Sequence, residues 1–412
     1  MNTSNTGANA LLLFFLFSLF AACTPPAENP EEAWIDCPVV GKVVTAGKDT
    51  LLSCDRALLT RTVSFPLSRL ADSLEIIPLD NRSEALVSDA RVIVSDHYLL
   101  VWGRDGIPFK LFDRKGRFLT DIGGFGQGPG EYQVIGDAQI DEANNRIYLQ
   151  PWQQPNLLVF DLEGNLLPAV PLCLAPPKPS FRVYSADSTL VMAILPFPNW
   201  PALLWAQDLK GKRKQFVEPG HLTMPHDFSN EIRSSRNTDA FDVSILSIMP
   251  TRKDTLYHYL YAENRLAPRF TLNFDEDPLP WHSYTELPGY FAGSISYPVQ
   301  ESEFITVSSP AQYYLIDKKT LKGAFVRMEN DYLGKYEIED WEYTFQDGYF
   351  CQNMEPALLK TALEKALQEN RTDEAARKQA EKWLEKLDEN QNNYILIAPL
   401  KGRVREEDRK LH

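Results

Sequence analysis

The stretch that decides the fold is FDRKGRFL at Phe112–Leu119, which returns 48 residues later as FDLEGNLL at Phe160–Leu167. A β-like run precedes each copy and another follows it. Each copy contains Asp-x-x-Gly, in which the Asp side chain can bond the backbone ahead of it and the Gly supplies the positive φ of a tight turn. A β-rich period of about 40–50 residues is typical of a propeller blade, whose sheet has four antiparallel strands, a to d. The repeat therefore predicts a β-propeller.

The same rhythm continues along the chain, because turns fall near residues 113, 161, 208, 262 and 317. The first three blades are predicted at 90–122, 137–170 and 181–217. The fourth is predicted from three strands at 241–249, 255–261 and 265–274. The fifth is predicted from strands at 294–299, 303–308, 312–317 and 323–328.

The sixth blade is interrupted by two helices, predicted at Pro356–Leu367 and Thr372–Leu387 from their Ala, Leu, Glu and Lys content and helical apolar spacing. Strands at 349–352 and 394–399 flank this insertion, and no fourth strand follows. The unpartnered strand Ser73–Leu79 lies at the other end of the chain. We expect Ile76 or Ile77 to pair with the 394–399 strand, because closing the ring removes exposed sheet edges. The predicted fold class is all-β: a six-bladed β-propeller closed by an N-terminal strand, with a helical hairpin inserted in the last blade.

The N-terminus predicts export. Ala10–Phe20 is an apolar run with one Ser, too short for a bilayer span of about 20 residues. The Ala21-Ala22-Cys23 that follows resembles the lipobox of bacterial lipoproteins, which implies cleavage before Cys23 and lipidation of that residue. An ordinary secretory signal with a chance Cys is the alternative.

These features divide the chain into segments. We predict a signal peptide at 1–22, an acidic Pro-rich tether at 23–33, a lead-in at 34–72, the propeller at 73–402 with its helical insertion at 356–387, and a charged tail at 403–412. The expected location is the cell envelope, lipid-anchored to the outer membrane, either periplasmic or surface-exposed.

Composition limits the partners. The formal net charge of −14 argues against nucleic acid and against anionic lipid headgroups, so the lipid anchor is the only expected membrane contact. Cys37 and Cys54 flank a short hairpin-like stretch and could pair outside the cytoplasm, although the sequence leaves free thiols equally open. The cysteine spacing does not match a zinc site.

Two further stretches carry a family resemblance. Leu74–Leu79 reads LEIIPL, and after the first blade Ile122–Tyr132 reads IGGFGQGPGEY. Together they resemble the six-bladed β-propeller lipoproteins of Gram-negative bacteria, relatives of NHL-repeat propellers. The resemblance implies the fold, an envelope location and binding as the usual activity, and it supplies no catalytic residues. The glycines do not indicate a phosphate cradle, because strands flank them and no helix follows.

A ligand-binding face is predicted where the b–c and d–a loops meet, since this face receives the long loops. Loop tryptophans offer a flat apolar surface and one donor, which suits sugars or protein partners. The alternative is that each Trp packs between neighbouring blades. The predicted binding residues are Trp102, Arg104, Trp152, Trp200, Arg252, Trp281 and Trp341.

The sequence contains no signature of an enzyme. His221, His226 and His282 match no metal-ligand spacing, and Gly-x-Ser-x-Gly is absent. We therefore predict no catalytic residue, no metal and no cofactor. The favoured function is a non-catalytic module that binds a glycan, a peptide or an envelope protein partner. The alternative is a lyase or hydrolase acting at the central channel, which titratable groups clustered at the channel mouth would favour.

Overall fold

Six blades form a propeller ring in the structure, a computed structural model that describes residues 30–103, 106–226, 229–246, 253–302, 305–339, 343–369 and 373–411. The first three blades follow the predicted rhythm. Blade 1 comprises Val92–Val94, Tyr98–Val101, Phe109–Asp113 and Phe118–Ile122. Blade 2 comprises Ile135–Asp141, Arg146–Pro151, Asn156–Phe160 and Leu166–Pro171. Blade 3 comprises Ser180–Tyr184, Thr189–Ala193, Leu204–Asp208 and Arg213–Val217.

Blade 4 has a short first strand that sequence reasoning missed. Its strands are Glu231–Arg233, Asp242–Leu246, Leu256–Leu260 and Arg265–Asn273. The lead-in widens this blade, because Asp49–Asp55 pairs in parallel with Arg265–Asn273 and Gly41–Ala46 pairs outside it. A helix at Pro30–Ile35 precedes these lead-in strands.

The first two strands of blade 5 differ from those predicted. Its strands are Trp281–Glu286, Tyr290–Ser296, Gln312–Asp317 and Gly323–Asn330, with lead-in strand Thr62–Pro66 parallel to the last. The predicted strands at 294–299 and 303–308 were wrong as strands a and b. Pro298–Ser302 and Ile305–Ser308 instead form a separate hairpin. The true strand a was missed because polar His282 and Glu286 occupy its buried positions, which hides the expected apolar alternation.

Blade 6 closes the ring as predicted. Its strands are Tyr343–Gln346, Tyr349–Met354, Tyr394–Pro399 and, from the other end of the chain, Glu75–Pro78. Ile76 lies opposite Leu396, and Ile77 lies opposite Ile395. The helices Pro356–Glu369 and Glu374–Leu384 are inserted before the third strand. No helix in the described part of the chain is long and apolar enough to span a membrane.

The buried apolar side chains of the described residues form clusters at the joints between neighbouring blades, so the core is divided around the ring. Cys37 belongs to the cluster between blades 5 and 6, and Cys54 to the one between blades 4 and 5. Both are free thiols. The disulfide considered from the sequence is therefore not formed here, because the two side chains pack into different clusters.

The repeated Asp-x-x-Gly turn also connects one blade to the next. Gly116 has φ of 80°, and a Cβ there would lie 2.0 Å from the carbonyl oxygen of Pro78, in the closing strand. The Asp80 amide donates to the Gly116 carbonyl at 2.8 Å. In the next blade, a Cβ on Gly164 would lie 2.8 Å from Oγ1 of Thr120, in the last strand of blade 1. The glycine thus allows each turn to reach the outer strand of the preceding blade.

We expect Gly116→Ala to lower the free energy of unfolding by roughly 1–2 kcal/mol more than Gly47→Ala, because it adds a backbone clash to the cost of positive φ. Gly47 is the matched control, since its φ is 64° and a Cβ there meets nothing within 4 Å. Urea unfolding of both variants measures the difference. Equal losses of stability in the two variants would show that the contact between this turn and the closing strand does not stabilise the fold.

Candidate functional site

In the part of the chain that the structure describes, one cavity opens at each face of the central channel. The first, of about 530 Å³, opens where strands a begin, beside Arg91, Asp137 and Ser180 of blades 1 to 3. The second, of about 420 Å³, opens at the a–b turns of blades 1, 2, 3 and 6. The predicted binding face, with its d–a loops, is therefore the face of the first cavity.

Arg236 bonds a lining residue of each cavity, Asp137 of the first and Asp347 of the second. Its side chain is 1% exposed, and its Nη1 donates to Oδ2 of Asp137 at 2.9 Å and to the Phe181 carbonyl at 2.8 Å. Its Nε donates to Oδ1 of Asp347 at 2.9 Å. Burial alone would lower the pKa of the guanidinium, but the two carboxylates raise that pKa well above its usual value. Arg236 of blade 4 thus links blades 2, 3 and 6 across the channel.

The buried carboxylate of Asp242 fixes the backbone that presents Arg236. It accepts from the amides of Ser235 and Arg236, both at 2.9 Å, and from the Ser234 hydroxyl at 3.0 Å. Arg236 has φ of 55°, a left-handed conformation that a non-glycine residue adopts only with such local support. The hydrogen bonds of Asp242 therefore hold the turn after strand a of blade 4 in the conformation that directs the Arg236 side chain towards the channel.

The first cavity is lined by both aromatic and hydroxyl side chains. Tyr343 lies 5.3 Å from Phe345 and 6.5 Å from Tyr313, measured between ring centroids, and all three line the cavity between blades 5 and 6. Serine hydroxyls also line it: Ser283 and Ser294 bond each other at 2.7 Å and lie beside Tyr313 on the sheet of blade 5. Such a surface can stack on a ligand and also exchange hydrogen bonds with it.

Two arginines, each close to a carboxylate, lie at the rim of this cavity. The Arg91 guanidinium lies over the Trp102 ring at 5.0 Å, bonds Gln346 and approaches Oδ1 of Asp137 at 3.5 Å. The exposed Arg233 pairs with Glu231 at 3.1 Å. Partly exposed guanidiniums are suited to carboxylate or phosphate groups of a ligand.

The C-terminal tail lines the second cavity, although the sequence suggested only a charged extension. Glu406 pairs with the buried Arg182, and the buried Arg409 donates to the carbonyl of Arg236. Burial lowers the pKa of Arg409 to about 10. Arg403 donates to Asp96 at 2.9 Å, at the edge of the same cavity. The tail therefore narrows this end of the channel.

The predicted binding residues are only partly brought together. Trp102 packs on Phe109 at 4.8 Å and meets the first cavity through Arg91, while Trp200 packs among residues of the blade 3–4 joint. Trp152 is half-buried in a turn. Trp281 lies on strand a of blade 5 and not in the loop predicted for it, because that strand was missed.

None of these four tryptophans is among the residues that line the two cavities. Arg104, Arg252, Trp341 and the lipidation residue Cys23 lie outside the described residues. The tryptophan-lined face as a whole stays a prediction.

The histidines are dispersed. His282 is buried on strand a of blade 5, where its Nδ1 bonds the Pro280 carbonyl at 2.8 Å and burial lowers its pKa. His221 and His226 are exposed. Among the described residues, no group of three or more His, Cys, Asp or Glu side chains is arranged to hold a metal ion.

Sequence reasoning missed the residues that do meet at the channel, namely Arg91, Arg236, Tyr313 and Tyr343. One positional signal was present: Arg91 immediately precedes strand a of blade 1, and residues at the start of strands a face the channel. No local pattern marks Arg236, which lay within a predicted long loop.

Comparison with known proteins identifies a family and a fold. The family described as a domain of unknown function, DUF4934, matches residues 52–399. The solved structure of a "Putative exported protein" from Bacteroides fragilis NCTC 9343 is similar to this chain, with 13% sequence identity and a TM-score of 0.53. The match covers 83% of this chain and 100% of that protein. At that identity the likeness describes the fold alone. None of the curated proteins matches the chain.

Two other solved structures are more distant. A member of the DUF4221 family from Bacteroides vulgatus ATCC 8482 is 11% identical, covers 81% of this chain and 97% of its own, and has a TM-score of 0.40. An oligogalacturonate lyase in complex with manganese is 10% identical and has a TM-score of 0.33, and the match covers 80% of this chain and 97% of the lyase. Neither score is high enough to carry an argument about function.

Proposed function

The chain belongs to the DUF4934 family, and from this premise we propose that it is an envelope lipoprotein, lipidated at Cys23, whose propeller binds a ligand without transforming it. The signal-like N-terminus and the similar fold of a protein described as exported support the location. The ligand class is a glycan, a peptide or a segment of an envelope protein, received by the first cavity.

The observation that carries this proposal is the composition of the first cavity. Its volume of about 530 Å³ falls within the range of about 300–1,000 Å³ that is usual for small-ligand sites. The Tyr313 and Tyr343 rings supply stacking area, and the lining serines and Arg91 supply polar contacts that fix orientation. This combination supports recognition of a polar ligand with flat or apolar parts.

An enzyme is the second candidate, because titratable groups do cluster at the channel. The most buried carboxylate at the first cavity, Asp137, is already engaged by four donors: the amides of Ala138 and Phe181, the Ser180 hydroxyl and Arg236. A general base needs a lone pair directed at its substrate. The occupied carboxylate therefore favours a structural role for the cluster and binding as the function.

Thermal-shift titration of the mature chain with short peptides and neutral oligosaccharides tests the proposal. We expect a ligand that stabilises the wild type to bind about tenfold more weakly to Tyr313→Ala, because an aromatic contact in a binding site contributes on the order of 1–2 kcal/mol. Trp152→Ala, which changes a side chain that does not line the cavity, is the matched control.

Loss of binding in Trp152→Ala with none in Tyr313→Ala would move the site to the loop tryptophans. Chromatography of the bound ligand after incubation separates binding from catalysis. Recovery of the ligand unchanged is expected, and cleavage would support the lyase or hydrolase alternative.

A further inference from the structure

The helix that follows the tether lies at the face of the ring that holds the second cavity. Within the helix Pro30–Ile35, Trp34 lies 5.9 Å from Tyr290 between ring centroids, and Tyr290 directly follows the a–b turn of blade 5. The Ile35 carbonyl accepts from Nζ of Lys322, at the end of the c–d turn of the same blade. Because a–b and c–d turns share one face of a propeller, the helix lies at the face opposite the first cavity.

Three exposed apolar side chains lie close to the start of the last strand of blade 5, at Lys322–Gly323. The backbones of Ile35 and Val39 both pair with Lys322. Leu59, the neighbour of Leu58, packs at Gly323, where a Cβ would lie 3.1 Å from its Cδ2. The exposed fractions are 63% for Ile35, 56% for Val39 and 44% for Leu58. Apolar side chains exposed singly need no explanation, but three around one position form an edge that a partner can cover.

Covalent geometry keeps this apolar edge, Ile35, Val39 and Leu58, close to the proposed lipid anchor. Cys23 and Pro30 are seven residues apart in the sequence. Each residue extends the chain by at most about 3.6 Å, so the helix begins no more than about 25 Å from the lipidated residue. The chain therefore brings the bilayer to this edge through its own connectivity.

Apolar contact, and not charge, drives docking at such an edge. Charges of both signs flank it, with the exposed Asp36 beside Ile35 and Lys322 at the turn, and the net charge of −14 gives no attraction to anionic headgroups. Three partly exposed side chains would bind a bilayer weakly by themselves. A short tether makes the contact intramolecular, at an effective concentration on the order of millimolar, so that a weak apolar contact is sufficient.

We infer that Ile35, Val39 and Leu58 dock on the bilayer that holds the lipid of Cys23, as a second membrane contact beside the anchor. This inference rests on the proposed lipidation of Cys23 and extends it from an attachment to an orientation. The docked edge belongs to the face of the second cavity, so the first cavity opens away from the membrane. The proposed binding site is then directed towards ligands in the aqueous phase.

Fluorescence quenching tests the inference on the full mature chain, isolated from membranes and reconstituted into phosphatidylcholine vesicles that carry nitroxide-labelled headgroups. The dye NBD is attached to Leu58→Cys or to Phe125→Cys, which is 54% exposed in the loop between blades 1 and 2, at the face of the first cavity. We expect the nitroxide to quench NBD at Leu58→Cys and not at Phe125→Cys. The chain without an added cysteine corrects for labelling of the half-buried Cys173.

Substitutions in the apolar edge separate docking from anchoring. Ile35→Ser and Val39→Ser, introduced together in the Leu58→Cys chain, should abolish the quenching while the chain still sediments with the vesicles. Leu166→Ser, on the last strand of blade 2 and 45% exposed, is the matched control and should leave the quenching unchanged. All of these side chains are exposed, so the substitutions preserve the fold.

Equal quenching at Leu58→Cys and Phe125→Cys in a chain that sediments with vesicles would overturn the inference and leave the lipidation intact. Quenching that survives Ile35→Ser with Val39→Ser would do the same. Mass spectrometry of the N-terminal peptide tests the premise: a chain without lipid at Cys23 that does not sediment with vesicles would overturn both the proposed location and the inference. Ligand binding by the first cavity is measured separately and does not depend on these outcomes.

Discussion

Replacing Arg236 by Met should lower the free energy of unfolding by about 3–5 kcal/mol, the usual cost of removing one partner from a buried ion pair. The substitution leaves Asp137 with only the more distant Arg91, at 3.5 Å, and leaves Asp347 without its closest cation. It also removes the side chain that joins blade 4 to blades 2, 3 and 6. Urea denaturation at pH 7 measures the loss.

Two further variants test whether this loss of stability comes from the buried ion pairs of Arg236. Arg233→Met, three residues earlier and exposed, should change stability by less than about 1 kcal/mol, as is usual for a surface pair. The double variant Arg236→Met with Asp137→Asn should recover part of the loss, because one buried charge is removed together with its partner. Arg236→Met as stable as the wild type would show that the channel network does not hold the ring together.

The ring was predictable because its determinants are local. Asp113 and Gly116 define a turn within a few residues, and the strand alternation beside them repeats at nearly constant spacing. The closing strand was found by elimination, since Ile76 and Ile77 had no partner in their own neighbourhood and blade 6 lacked one. In blade 5 this reasoning failed, because His282 and Glu286 place polar groups at buried strand positions.

The site was less predictable because its contacts are not local. Arg236 reaches Asp137 and Asp347 across 99 and 111 residues of chain. Arg409 resembles any solvated charge of a polar tail, yet it is buried because its acceptor, the Arg236 carbonyl, lies in the channel. A ring brings the starts of its strands a together whatever their separation in sequence. The residues at those positions are therefore the ones to examine once a propeller has been recognised.

Replacing Glu286 by Gln should cost about 3 kcal/mol of stability at pH 7, which corresponds to the shift in its pKa. Burial alone would raise the pKa of this carboxyl, but His258 and Lys318, whose Nζ lies 2.5 Å from Oε1, lower it to about 2. The three residues join blades 4 and 5. Because the pKa is lower in the folded state, the stabilisation is complete above the unfolded value, about 4.3, and is lost as pH falls towards 2.

Urea denaturation between pH 7 and pH 2 distinguishes this ion pair from general acid unfolding. The wild type should lose about 3 kcal/mol more than Glu286→Gln over that interval, so the two stability curves should converge at low pH. Glu337→Gln changes an exposed residue of the short strand Tyr336–Glu337, which pairs with the last strand of blade 5, and its curve should run parallel to that of the wild type throughout. Parallel curves for Glu286→Gln and the wild type would mean that the carboxylate does not stabilise the fold through its charge. The joint between blades 4 and 5 would then depend on its aromatic contacts, in which Phe270 and Phe291 stack at 4.5 Å.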